Sequence, residues 1–113
     1  MTKIYHNPRC SKSRQALAIL EEKGEHIEII KYLENPPTEK ELSGIIDVLG
    51  IEPVELVRKN EDIWKQYYKG KDLKSDELIR IMVQNPKLIE RPIVIKNNKG
   101  VIGRPPENVT TIL

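Results

Sequence analysis

Within its first 32 residues the chain changes hydrophobic period twice, and that alternation limits the folds open to it more than any other feature. Lys3-Ile4-Tyr5-His6 is a short β-favouring run, ended by the turn signal Asn7-Pro8. From Ser13 to Lys23 the apolar residues Ala16, Leu17 and Leu20 fall at helical spacing, and Gly24 supplies a stop. The spacing therefore predicts a helix whose first turn begins close to Cys10. His26 to Tyr32, with Ile27 and Ile29 alternating and Ile30 added, reads as a second strand of the buried kind. A strand, a crossover helix and a second strand favour a parallel pair.

The middle of the chain is helical. Pro36-Pro37 break the strand, and Thr38-Glu39-Lys40-Glu41 reads as a capping box opening a helix with Leu42, Ile45, Ile46 and Leu49 on one face, up to Gly50. Pro53 starts a short turn through Leu56. Ile63, Trp64 and Tyr67 suggest another amphipathic piece, and Ser75 caps a run with Leu78, Ile79 and Met82 that ends at Asn85-Pro86. Pro92-Ile93-Val94-Ile95, the turn Asn97-Asn98-Lys99-Gly100 and Val101-Ile102-Gly103 then read as a hairpin, followed by a short terminal helix from Pro106. The fold class expected is α/β with a mixed sheet, in the order β-α-β, helical insertion at about 38–85, β-β-α. A chain of 113 residues fits a single domain, 1–113.

Composition narrows the function classes. With 19 basic and 17 acidic residues dispersed along the chain, no nucleic-acid footprint is expected. No apolar run reaches the roughly 20 residues that span a bilayer, so no membrane association is expected. One Cys allows no internal disulfide, and the start lacks the pattern of a secretory signal, which points to a reducing, cytoplasmic location. One Cys and two His are a poor set for a structural metal, and Gly-rich phosphate loops are missing, so neither a metal nor a bound nucleotide is expected. Trp64, Tyr67 and Tyr68 read as packing residues of the insertion.

Chemistry concentrates at Cys10. A free Cys is often a buried, inert filler. Between a strand end and a helix start, however, it faces unpaired backbone amides and the positive end of the helix dipole, both of which favour thiolate. Arg9, Lys12 and Arg14 add positive charge, and Ser11 and Ser13 add hydroxyls, so the expectation is an accessible thiol of low pKa in an anion cradle. His6, if protonated, would stabilise the thiolate further. His26 reads as a surface residue. Arg58 in "LVRKN", Arg91 in "ERPIVI" and Arg104 in "GRP" could be solvated surface charges. Yet Arg91 and Arg104 sit at the ends of hairpin strands beside rigid neighbours, and guanidinium groups suit tetrahedral oxyanions.

The stretches "IYHNPRCSKSR", "YLENPP", "LVRKN", "NPKLIERPIVI" and "GRPPE", in this order and across nearly the whole chain, resemble the glutaredoxin-coupled arsenate reductase family. The resemblance implies a thioredoxin-like fold with a helical insertion between the second and third strands, and a cis peptide at Arg91-Pro92, where the residues alone favour trans. It implies Cys10 as nucleophile, Arg58, Arg91 and Arg104 as oxyanion-binding residues, and His6, Ser13 and Arg14 as supports of the thiolate. It further implies arsenate or a similar oxyanion as substrate, glutathione as co-substrate, glutaredoxin as partner, and no bound cofactor. The loop departs from the family pattern in carrying Arg9, Ser11 and Lys12. The related Spx-type regulators usually carry a CxxC redox switch, whose fourth position is Ser13 here, so no such disulfide can form. A redox or protein-binding regulator of that kind, or a monothiol oxidoreductase with another substrate, are the alternatives.

Overall fold

The computed structural model describes Met1–Leu113, and its contacts divide the chain into two compact units, Met1–Asn35 with Arg91–Leu113, and Pro36–Glu90. The first unit is built on strands β1 (Thr2–Tyr5), β2 (Ile27–Ile30), β3 (Ile93–Lys96) and β4 (Lys99–Ile102), with helix α1 (Ser11–Glu22) between β1 and β2. The sheet order is β2-β1-β3-β4. β1 runs parallel to β2 and antiparallel to β3, and β3 pairs antiparallel with β4. This is the mixed α/β sheet expected of a thioredoxin-like chain.

Each element follows from its residues. Ala16 and Leu20, four apart in α1, are fully buried and join Ile4, Val94 and Val109 in the core of this unit. Truncating a leucine in such a position to alanine typically costs about 2–5 kcal/mol. Past α1, Gly24 takes φ 72°, a left-handed conformation that ends the helix. The hairpin turn is shorter than the sequence suggests. Asn97 and Asn98 alone form it, both at positive φ (51° and 63°), which lets Lys99 and Gly100 join β4.

Two further expectations change. β2 is an edge strand and not a buried one, since it pairs only with β1, and Ile29 is 48% exposed although its register partner Ile4 is sealed. A continuous apolar run does not reveal whether a strand has one neighbour or two. The terminal helix from Pro106 is a 3₁₀ segment, Pro106–Ile112, that packs on α1 and buries Val109.

The second unit is helical, with α2 (Glu39–Leu49), α3 (Asp62–Tyr67), α4 (Ser75–Gln84) and 3₁₀ turns at Pro53–Leu56 and Pro86–Leu88. The capping box forms as read. The Glu41 amide donates to Thr38 Oγ1 and the Thr38 amide to Glu41 Oε1, both at 3.1 Å. Leu42, Ile45 and Ile46 of α2 and Leu78 and Met82 of α4 are buried where the two helices pack. Ser75 is not the cap of α4 but its first residue. Lys74 holds the cap position, and its amide donates to Glu77 Oε1 at 3.1 Å, so the acidic residue satisfies the helix start that the hydroxyl was expected to satisfy. Trp64 is buried and lies 5.9 Å from the Tyr68 ring, in the packing role expected of it, while Tyr67 is exposed. No helix in the chain is long and apolar enough to cross a membrane.

Candidate active site

Sheet register assembles the site in the first unit. β1 ends at Tyr5, and the His6 amide extends the ladder by donating to the Ile30 carbonyl at 2.8 Å. The chain then turns sharply. The Cys10 amide donates to the Asn7 carbonyl at 3.0 Å, and the Arg9 amide donates to Asn7 Oδ1 at 3.0 Å. Across the turn, Arg14 Nη1 donates to the Pro8 carbonyl at 2.9 Å, so the role of Arg14 is to staple the loop to the first turn of α1. Cys10 is the N-cap residue of α1, with extended φ and ψ of −94° and 122°, and its carbonyl accepts the first helical hydrogen bond, from the Arg14 amide at 3.0 Å. The thiol therefore points at the open end of a helix.

Antiparallel pairing brings two arginines to the same place. Tyr5 pairs with Ile93, so Arg91 and Pro92, just before β3, face the loop that follows β1. Ile93 pairs with Ile102, and the Gly103 amide donates to the Pro92 carbonyl at 2.9 Å, which sets Arg104 beside them. Arg104 Nη1 lies 3.8 Å from Cys10 Sγ and donates to the Arg91 carbonyl at 3.4 Å. The Arg91-Pro92 peptide is cis, as the resemblance implied. Arg104-Pro105 is cis as well, which the sequence reading did not foresee. Gly103 is required by the same close approach, because a Cβ there would meet Pro92 Cγ at 2.8 Å and Val109 Cγ1 at 3.2 Å.

Electrostatics at Cys10 set opposing effects against each other. Burial pushes the thiol pKa up, while the Ser13 amide, the Arg91 charge, the Lys12 amide and a hydrogen bond from Arg91 pull it down, and the result lies below the ordinary value. No amide closes on Sγ as a full capping bond. The lowering comes from several donors acting together. The expectation of an accessible thiol is corrected, because Cys10 is only 9% exposed.

His6 takes a different part from the one expected. It is 5% exposed, and burial together with the positive charges of Lys31 and Arg14 holds its pKa below the usual histidine value, which favours the neutral ring. That direction works against the protonated ring expected beside the thiolate. Its Nδ1 lies 2.6 Å from Ser13 Oγ, and the Asn7 amide donates to the same oxygen at 3.0 Å. Ser13 thus locks the strand end, the turn and α1 together, and its amide is then held toward Cys10. The influence of Lys31 was missed in the sequence, since it lies 25 positions from His6; only the parallel register of Tyr5 with Ile30 brings the two ends side by side.

Arg58 belongs to the second unit. Its amide donates to the Leu88 carbonyl at 2.7 Å, Nη1 donates to the Lys87 carbonyl at 3.2 Å, and Nη2 lies 3.4 Å from Glu61 Oε2. The guanidinium is thus oriented by its own surroundings. Cys10, Arg91, Arg104, His6, Ser13 and Arg14 are the sequence-identified residues that the first unit gathers.

Known proteins resemble this chain along nearly its whole length. The ArsC family model matches residues 5–112. An arsenate reductase of Neisseria meningitidis serogroup B is 44% identical over 113 residues, which is 98% of this chain and 97% of that one. The uncharacterized protein YfgD of Escherichia coli K12 is 49% identical over 98% of this chain and 95% of its own. Among solved structures, the arsenate reductase from Vibrio cholerae superposes with a TM-score of 0.96 at 46% identity, covering 99% of this chain and 97% of that one. With a family match that spans nearly every residue, and with relatives this similar over their full length, the chain belongs to the ArsC family.

Proposed function

We propose that the protein reduces arsenate to arsenite, with Cys10 as nucleophile and glutathione and glutaredoxin as the external thiols. The observation that carries this reading is the thiol itself, lowered in pKa at a helix start with Arg104 Nη1 3.8 Å away and Arg91 hydrogen-bonding to it. A nucleophile held among guanidinium groups suits a substrate that is itself an oxyanion. The reductase names of relatives at 44% and 46% identity support the same choice.

In the first step the Cys10 sulfur bonds to arsenic, and one arsenate oxygen, protonated, leaves as water. Arsenic remains pentavalent. Arg91 and Arg104 offset charge on the remaining oxygens as it builds, which is electrostatic stabilisation by donors already in place. Glutathione then attacks the arseno-cysteine. Arsenic takes up two electrons and departs as arsenite, while Cys10 and glutathione lose one electron each and join in a mixed disulfide. A glutaredoxin thiol reduces that disulfide and restores Cys10. The chain has one Cys, so both further thiols must come from outside. The part of Arg58 as a third oxyanion ligand rests on the resemblance alone.

Arsenate-dependent oxidation of NADPH, coupled through glutathione reductase, is the test. Turnover should require arsenate, glutathione and glutaredoxin together and disappear in Cys10→Ser. Full multiple turnover with thioredoxin alone would count against the coupling, and no arsenate dependence with any thiol would overturn the reading.

A further inference from the structure

A pocket lies beside the Cys10 loop, at the carboxyl ends of the parallel strands β1 and β2. It encloses about 280 Å³. His6 to Arg9 form one wall, and Lys31, Leu33 and Glu34 form the other. Carboxyl ends of parallel strands are where open α/β sheets take their ligands, because the loops there diverge. Both walls are fixed turns. On one, Asn7 binds the amides of Arg9 and Cys10; on the other, the Glu34 and Asn35 amides donate to the Lys31 carbonyl at 3.0 and 2.9 Å.

The charges of this pocket are set but not spent. Arg9, Lys31 and Glu34 are exposed, and none forms an ion pair with another residue of the chain. Two cationic groups and one carboxylate around a small cavity repel a simple polyanion at Glu34 and a simple cation at Arg9 and Lys31. They complement a group carrying both charges. Leu33, 41% exposed, offers an apolar surface between them for a short methylene stem. The volume lies just under the roughly 300–1,000 Å³ of sites for larger ligands, which suits a head group and not a whole tripeptide.

We propose that this pocket binds the α-amino-acid end of the thiol co-substrate, its carboxylate held by Arg9 and Lys31 and its ammonium by Glu34. The inference rests on the reading that a γ-glutamyl thiol serves the site. Its head is a zwitterion on two methylenes, and its sulfur is left to work across the turn, at the cysteine that immediately follows Arg9. The pocket selects among thiols, whereas Arg91 and Arg104 serve the oxyanion.

The closing experiment reads binding apart from turnover. The ¹⁵N-labelled protein is titrated with S-methylglutathione, which cannot react, and with its N-acetyl derivative, which lacks the ammonium. Saturable amide shifts at Arg9, Lys31, Leu33 and Glu34 are expected, with affinity weaker by roughly threefold to tenfold for the N-acetyl compound and for Glu34→Lys. No saturation by roughly 10 mM, shifts confined to other residues, or indifference to both changes would overturn the proposal. In the coupled assay, Glu34→Lys should raise KM for glutathione with little change in kcat, and an unchanged KM would overturn the proposal. If no thiol supports arsenate turnover, the proposed activity fails while the titration still decides the pocket.

Discussion

Cys10 is the residue on which the chemistry converges, and its protonation is directly measurable. The iodoacetamide alkylation rate plotted against pH should have a midpoint below the ~8.5 of a free thiol, and Arg91→Ala should move that midpoint upward. A midpoint at or above ~8.5 in the native protein would contradict the lowering. For the oxyanion, charge-assisted hydrogen bonds contribute roughly 1.5–3 kcal/mol, so Arg58→Ala, Arg91→Ala and Arg104→Ala should each cost about tenfold to a hundredfold in kcat/KM. Lys23→Ala and Lys40→Ala, both exposed, are the controls and should be silent. Arginine variants that fold and behave like the controls would remove the oxyanion role. His6 gives a prediction of stability. Its folded pKa is depressed, so the unfolded chain binds the proton more readily. The neutral ring's contribution is complete above the unfolded value of ~6.5 and is lost as pH falls from there through the folded value. Urea midpoints between pH 5 and 8 should therefore decline toward acid, and the decline should be shallower in His6→Gln.

Among the elements, the crossing of β4 with the segment before β3 is the most tightly constrained. Gly103→Ala would drive a methyl group into Pro92, and overpacking of this kind costs typically 1–3 kcal/mol. Arg104 is the next residue, so the variant should lower both the melting temperature and kcat/KM for arsenate; a variant with unchanged stability and activity would show that the contact relaxes freely. The same region marks the boundary of what the sequence discloses. Period and punctuation reveal β1, α1, the capping box at Thr38 and the hairpin, because local chemistry determines each of them, though not that the hairpin turn is Asn97-Asn98 alone. The edge status of β2, the Lys74 cap of α4 and the 3₁₀ form of the last segment depend on neighbours distant in sequence, and no window of a few residues contains them. The site divides in the same way. The Cys10 loop is visible as a cluster, and Arg91 and Arg104 stand out only by their prolines. The Lys31 contribution to the lowered His6 pKa and the pocket beside the loop arise from a strand register that brings Lys31 and Glu34 alongside residues 6–9.

For the molecule as a whole, the sheet order has a consequence in time as well as in space. β1 and β3 are hydrogen-bonded on both sides, while β2 and β4 each have one partner. Amides of the central pair should open to solvent only in the rarest, most global excursions, and those of the edge pair in smaller, more frequent ones. Hydrogen–deuterium exchange followed by NMR should rank Ile4 and Val94 slower than Ile29, and equal rates across the four strands would contradict that ranking. The loop carrying Cys10 leaves β1, and the segment carrying Arg91 enters β3. Both halves of the site thus hang from the slowest-breathing strands, and the spacing between sulfur and guanidinium should persist through many openings of the edges before it is lost once.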